Sequence, residues 1–202
     1  MQTSTAVSDA VLAVVSYAAA ISLLRLSRVL PAIGFLLQAV AASLGALKFG
    51  MQTPSANIIT YHGHATWLAS VVGISLIAGD YHLGNHYQSR HFSYIAILLF
   101  CAIPVVTLAK IFKFWSNKVD IYVTDAIGFT SILSIFLSSI VHPNSCCLFG
   151  SLMYVVAGLI GTQGTLCGYK KVDWFHYLLA FGNVSLVLAF KYKAEPIYFK
   201  NK

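Results

Sequence analysis

Long apolar runs, broken at near-regular intervals by short polar segments, dominate the chain. A membrane-crossing helix needs about 20 mostly apolar residues, within a range of about 17 to 25. Seven stretches qualify: 7–24, 29–48, 57–80, 92–112, 120–141, 146–167 and 174–190. Arg25 and Arg28 close the first, Pro31 opens the second in a first turn that tolerates it, and Pro104 inside the fourth predicts a kink. The connections leave no room for a soluble domain. The pattern therefore predicts an all-α, polytopic transmembrane helix bundle of seven spans, or six if a short terminal stretch lies in the interface. Residues 1–202 are read as a single bundle, ending in a short basic tail, 191–202.

Composition makes the same assignment from another direction. Hydrophobic residues are 58% of the chain and charged residues 9%, against about a quarter charged in a soluble domain. Thirteen Lys+Arg and six Asp+Glu cannot solubilise 202 residues, and the mean hydropathy of +0.76 agrees. A soluble globule, a disordered chain and a secreted disulfide scaffold are excluded. The net charge of +7 belongs to Lys and Arg flanking the spans, where they meet lipid phosphates; no run is dense enough for nucleic acid. The bilayer is thus the first partner, with a membrane protein the second, and no specific ligand is identifiable. Endomembrane (ER or Golgi) and plasma membrane fit equally.

Orientation is weakly encoded. With seven spans, one side holds Arg25, Arg28, Arg90, Lys191, Lys193, Lys200 and Lys202, and the other Lys48, Lys110, Lys113, Lys118, Lys170 and Lys171. Seven against six is no bias under the positive-inside rule. Four cysteines form no CxxC spacing, so a structural zinc site of that kind is unsupported. Adjacent Cys146 and Cys147 read as interfacial residues, S-acylation being the sharper alternative. The Asn183-Val184-Ser185 sequon lies inside an apolar run and is read as unglycosylated. Lys110, Lys113, Phe114, Trp115 and Lys118 read as an interfacial anchor.

Within the spans, small and polar residues fall at offsets of three, four, seven and eleven, which place them on one helix face. The second span has Gly34, Gln38, Ala41, Gly45 and Lys48; the third His62, Thr66, Ser70, Gly73 and Asp80. The fifth has Thr124, Gly128, Ser131, Ser138 and His142, with Asp125 beside Thr124; the sixth Gly150, Tyr154, Gly158, Gly161 and Thr165; the seventh Asp173, His176, Ala180 and Asn183. Gly, Ser and Thr at such spacing are helix-packing positions in lipid. Gln38, Asp80, His142, Gly158, Gly161 and Asn183 are accordingly read as packing or polar-stripe residues.

Alternating span direction sorts the ionisable residues into two sets. Asp80 and His142 fall at one face with the polar loop 82–91, which carries His82, His86 and His91, and with Cys146. His62, His64, Asp125, Asp173 and His176 fall at the other. Asp and His are zinc ligands, and three of them leave a coordination position for water. The second set is the strongest candidate for chemistry, with zinc its candidate metal; no other cofactor is expected.

Seven spans with membrane-embedded His and Asp resemble the alkaline ceramidase and progestin-receptor-like hydrolases. There a His on an early span and two His four apart on the last span hold zinc. The segment 173–179 (DWFHYLL) is similar to part of that last-span motif, which implies a zinc-dependent membrane lipid hydrolase. The sequence departs from the pattern at Val172, where the motif has its first His, and at Ile58, where it has Ser four before His62. Transport of a proton or small solute is a second reading, from the intramembrane Asp, His, Gln and Lys; b-type haem between facing His is a third. A non-catalytic adaptor or assembly protein accounts most simply for short loops and packing stripes, and is the leading expectation.

Overall fold

A computed structural model describes residues 2–84, 90–114 and 116–194. His86, Trp115 and tail residues 195–202 lie outside the described residues. The chain is helical, and five helices are long and apolar enough to cross a membrane: Thr3–Arg25, Val29–Gly50, Tyr94–Ile111, Lys118–Val141 and Lys171–Lys191. The helices are α1 Thr3–Arg25, α2 Val29–Gly50, α3 Ala56–Leu68, α4 Ile74–Leu83, α5 Arg90–Ile111, α6 Asn117–Val141, α7 Ser145–Ile160 and α8 Lys171–Ala194. A π-helical turn, Ala69–Gly73, joins α3 to α4 without a break, so the two make one rod over the third apolar stretch.

Local chemistry sets the ends. Asn144 caps α7 by accepting from the Cys147 amide at 2.9 Å, and Ser55 caps α3 by accepting from Ile58 at 3.4 Å. Helix α1 closes with Ser27 at φ 57. The Ser27 amide reaches the Leu24 carbonyl and the Arg28 amide reaches that of Leu23, which satisfies two carbonyls that α1 leaves open.

Two boundaries differ from the sequence expectation. His82, expected in a loop, is the fully buried end of α4, where its Nε2 meets the Ser134 hydroxyl at 2.9 Å. The sixth stretch does not run to Cys167 as helix. Gly161 ends α7 with φ 69, and a two-strand hairpin follows, β1 Thr165–Leu166 against β2 Tyr169–Lys170. Its turn is Cys167-Gly168 at φ 53 and 81, the doubly positive pair that a two-residue hairpin needs. At about 1.5 Å per residue, α7 is about 24 Å long, short of a hydrocarbon core of about 30 Å.

Helix α1 packs along α2, α8 lies against α1 and α7, and the α3–α4 rod lies against α2. Leu23, Phe35, Ile77, Ile135, Leu186 and Phe190 form the main core between α1, α2, α4, α6, α7 and α8. The outer surface is apolar, with Val14, Leu98, Val105 and Leu159 each more than 60% exposed. Such a surface suits lipid, where helices gain nothing from hiding Leu and associate through small residues instead. Gly34 and Gly73 show this: a Cβ on Gly34 would stand 2.5 Å from the Gly73 carbonyl oxygen. Gly150 and Gly182 play the same part where α7 crosses α8, each facing the other's carbonyl at 3.1 Å from where its own Cβ would be.

Candidate functional site

At one end of the bundle the first turns of α1, α3 and α8 meet the last turn of α2. The Gln2 amide bonds to the Phe49 carbonyl at 2.8 Å, which pins the start of α1 to the end of α2. Five ionisable side chains gather there: Asp9, Lys48, His62, Asp173 and His176. Asp9 is only 2% exposed and Asp173 5%. His176 Nε2 lies 3.4 Å from Asp9 Oδ1, and its Nδ1 lies 3.0 Å from the Ser8 hydroxyl. That hydroxyl also reaches the Thr5 carbonyl at 3.0 Å and Asp173 Oδ1 at 3.4 Å. Lys48 Nζ meets His62 Nδ1 at 3.3 Å. Ser8 thus bridges His176 and Asp173 beside Asp9, and the Lys48–His62 pair stands at the same end of the bundle.

The geometry admits two proton arrangements. In one, Ser8 donates to His176 Nδ1 and His176 Nε2–H donates to Asp9. In the other, Ser8 donates to the Thr5 carbonyl and accepts from His176 Nδ1–H, leaving Nε2 facing Asp9 as an acceptor. With Nε2 as acceptor the Asp9 carboxyl must carry a proton to donate, so the second arrangement holds one proton more than the first. Passing between them moves the ring hydrogen from one nitrogen to the other, as imidazole can because either nitrogen can donate or accept. Asp9 Oδ2 has no hydrogen-bond partner among the described residues. It presses on Gly45, where a Cβ would stand 2.6 Å away. A buried carboxyl oxygen left unpaired is costly, so this carboxyl is held by its surroundings rather than relaxed into them.

One layer deeper the bundle is apolar. Leu12, Ala13, Ala42 and Ala180 pack together between α1, α2 and α8. Beyond them, about 10 Å along α1 at about 1.5 Å per residue, lies a second polar set. Asn183 Nδ2 donates to Ser16 at 2.9 Å and to Gln38 Oε1 at 3.0 Å. The Tyr154 hydroxyl lies 3.0 Å from Gln38 Oε1 and also contacts Asn183 Oδ1. This network ties α1, α2, α7 and α8 together at mid-bundle. Removing the Tyr154 hydroxyl takes from the buried Asn183 Oδ1 the O–H that faces it, while Gln38 Oε1 keeps the Asn183 Nδ2 donor. Tyr154→Phe is expected to cost about 1–3 kcal/mol, read as a lower midpoint of thermal unfolding in detergent.

The other sequence candidates are placed as follows. Asp80 pairs with Arg28 at 3.3 Å, at the opposite end of the bundle. His142 caps α6 there, its amide on the Ser138 carbonyl. Asp125 is exposed on α6, which packs on α4, α7 and the π turn. His64 is exposed and lines a separate cleft of about 780 Å³ with Trp67, Lys110 and Asp120. In that cleft Lys110 bonds to Asp120 at 2.5 Å and lies 4.3 Å from the centre of the Trp67 ring. Gly158 has open space where a Cβ would stand, and Gly161 supplies the positive φ that ends α7.

The zinc set suggested by the sequence does not assemble. Among the described residues no three His, Cys, Asp or Glu are placed to hold a metal. His62, Asp173 and His176 do approach one another, but His62 turns a nitrogen to the Lys48 ammonium, and a cation there opposes a second one. Asp125 and His64 face elsewhere. Sequence reasoning missed Asp9 and Ser8. The signal was present: Thr5, Asp9 and Ser16 stand at offsets of four and seven, a polar stripe on one face of α1.

No family model, curated protein or solved structure matches the chain.

Proposed function

We propose that this chain is a seven-span membrane protein that takes up and passes protons through the Asp9–His176 site, as a proton or proton-coupled small-solute transporter. The observation that carries this reading is the near-complete burial of Asp9, on a membrane-length helix, against an imidazole with a hydroxyl on its other nitrogen. Ionisable groups inside spans are expensive and by default mark proton or solute paths. A bundle held by packing alone gains nothing from them. The Ser8–His176–Asp9 line supplies a relay, and the apolar Leu12/Ala13/Ala42/Ala180 layer separates it from the mid-bundle amides, as a barrier between two polar compartments would.

The test is proton flux into liposomes containing the purified protein and a trapped pH-sensitive dye, under an imposed pH gradient. Flux above that of protein-free liposomes is expected. Asp9→Asn keeps the shape and removes the titrating group, and should lower flux at least about tenfold, equivalent to about 1.4 kcal/mol on a barrier. Wild-type flux equal to that of empty liposomes overturns the reading.

A non-catalytic adaptor or assembly protein is the second reading. It is favoured by α5, the least buried of the five membrane-length helices, with 17% of its apolar stretch buried against 44% in α1 and α2. A partner helix on α5 would cover that face. This reading predicts a folded protein without proton flux.

A further inference from the structure

We propose that the cleft between the start of α1 and the hairpin–α8 junction binds an alkylammonium group, either of a free organic cation or of a choline lipid headgroup. As a substrate site this rests on the transport reading. Binding and flux are therefore measured separately, and either can fail alone.

The cleft encloses about 500 Å³, lined by Thr3, Ser4, Tyr169, Asp173, Trp174 and Tyr177 among others. That volume falls within the range of about 300–1,000 Å³ typical of small-molecule sites. Among the described residues its lining combines three aromatic rings, one carboxylate and no Lys or Arg. Tyr169 and Trp174 stand at 88° with ring centres 6.3 Å apart, two walls at a right angle. The Trp174 ring is fixed by its indole N–H, which donates to the Leu166 carbonyl at 3.2 Å. Tyr177 lies three and four residues beyond Trp174 and Asp173, so all three share one side of α8.

Aromatic faces attract cations through the ring quadrupole, most strongly where water is displaced, and cages of such rings recognise quaternary ammonium groups. A carboxylate completes the charge match. An anion fits poorly, because among the described residues the only charged side chain lining the cleft is Asp173. Lys170, beside Tyr169 on the hairpin, has its ammonium on Gln2 Oε1 at 3.1 Å. Asp173 also touches Ser8 in the proton relay, so a cation held in the cleft would lie one side chain from the buried cluster. That adjacency gives the solute and the proton a shared carboxylate.

The probe is choline, titrated into the full-length protein in neutral detergent and read by calorimetry. Its neutral isostere 3,3-dimethylbutan-1-ol is the control for shape without charge. Saturable choline binding is expected, at least about tenfold tighter than the isostere, and weakened by a similar factor in Trp174→Ala and Asp173→Asn. Tyr169→Leu, on the exposed hairpin, repeats the test without touching the bundle, and thermal unfolding confirms that each variant is folded. Nanodiscs of phosphatidylglycerol and of phosphatidylcholine separate the two sources. Weaker choline binding in phosphatidylcholine identifies the lipid headgroup as occupant, and equal binding identifies a free cation. Equal binding of choline and its isostere, or choline binding unchanged in both Trp174→Ala and Tyr169→Leu, overturns the proposal and leaves these rings as interfacial anchors.

Discussion

Gly34→Ala is expected to leave little correctly folded protein. The added Cβ would meet the Gly73 carbonyl oxygen at 2.5 Å and Ile77 Cγ1 at 2.7 Å. The first of these is backbone, which cannot turn aside as a side chain does, so α2 must move off the π turn. Overpacking costs about 1–3 kcal/mol and sometimes more, and here it acts where α2 meets the π turn and α4. The control is Gly158→Ala, where nothing lies within 4 Å of the new atom. There the change should be neutral or stabilise by up to about 1 kcal/mol, because alanine is the better helix former. Yield of monodisperse protein in mild detergent, followed by thermal unfolding, compares the two. Equal behaviour of the two variants would show that the α2 crossing is not held by glycine contact.

Asp9→Ala is the second large effect. It removes the carboxyl that faces His176 at 3.4 Å and lies within the field of Lys48. Deleting it leaves His176 Nε2 buried without the group that faces it, which costs about 1–3 kcal/mol, with a further cost for the space left beside Gly45. Asp9→Asn should cost less, since the amide keeps the shape against Gly45 and a polar atom towards His176. A lower unfolding midpoint in the order wild type, Asn, Ala is expected. An Ala variant as stable as wild type would mean that Asp9 carries no structural share.

How far the sequence reaches is clearest along α2. The stripe Gly34, Gln38, Ala41, Gly45 and Lys48 is legible from spacing alone, and four of its members meet a partner: Gly34 meets Gly73, Gln38 the Tyr154 hydroxyl and the Asn183 amide, Gly45 Asp9, and Lys48 His62. Periodicity fixes which face of a helix is small or polar. It does not say which neighbour that face meets. Asp125 is assigned by span direction to the same end as Asp173, yet lateral packing carries α6 against α4 and α7. Spacing likewise cannot tell Gly34, pressed against backbone, from Gly158, which faces open space. The sixth stretch is read as helix through to Cys167, yet Gly161-Thr162-Gln163-Gly164 interrupts its apolar run, and three positive-φ glycines there end the helix and shape the hairpin. Asp9 escaped notice because a single acid near the chain start resembles an ordinary span-end charge until α8 is packed against it.

The account stands on Ser8, His176 and Asp9 acting as one relay, and a double-mutant cycle on proton flux tests that most directly. Residues that act as a unit lose function together, so their effects do not add. Asp9→Asn, His176→Gln and the double variant are reconstituted at equal density and compared with wild type. The account predicts that each single variant lowers flux about as much as the double. A double variant whose loss is the product of the two single losses would contradict it, and so would single variants with wild-type flux.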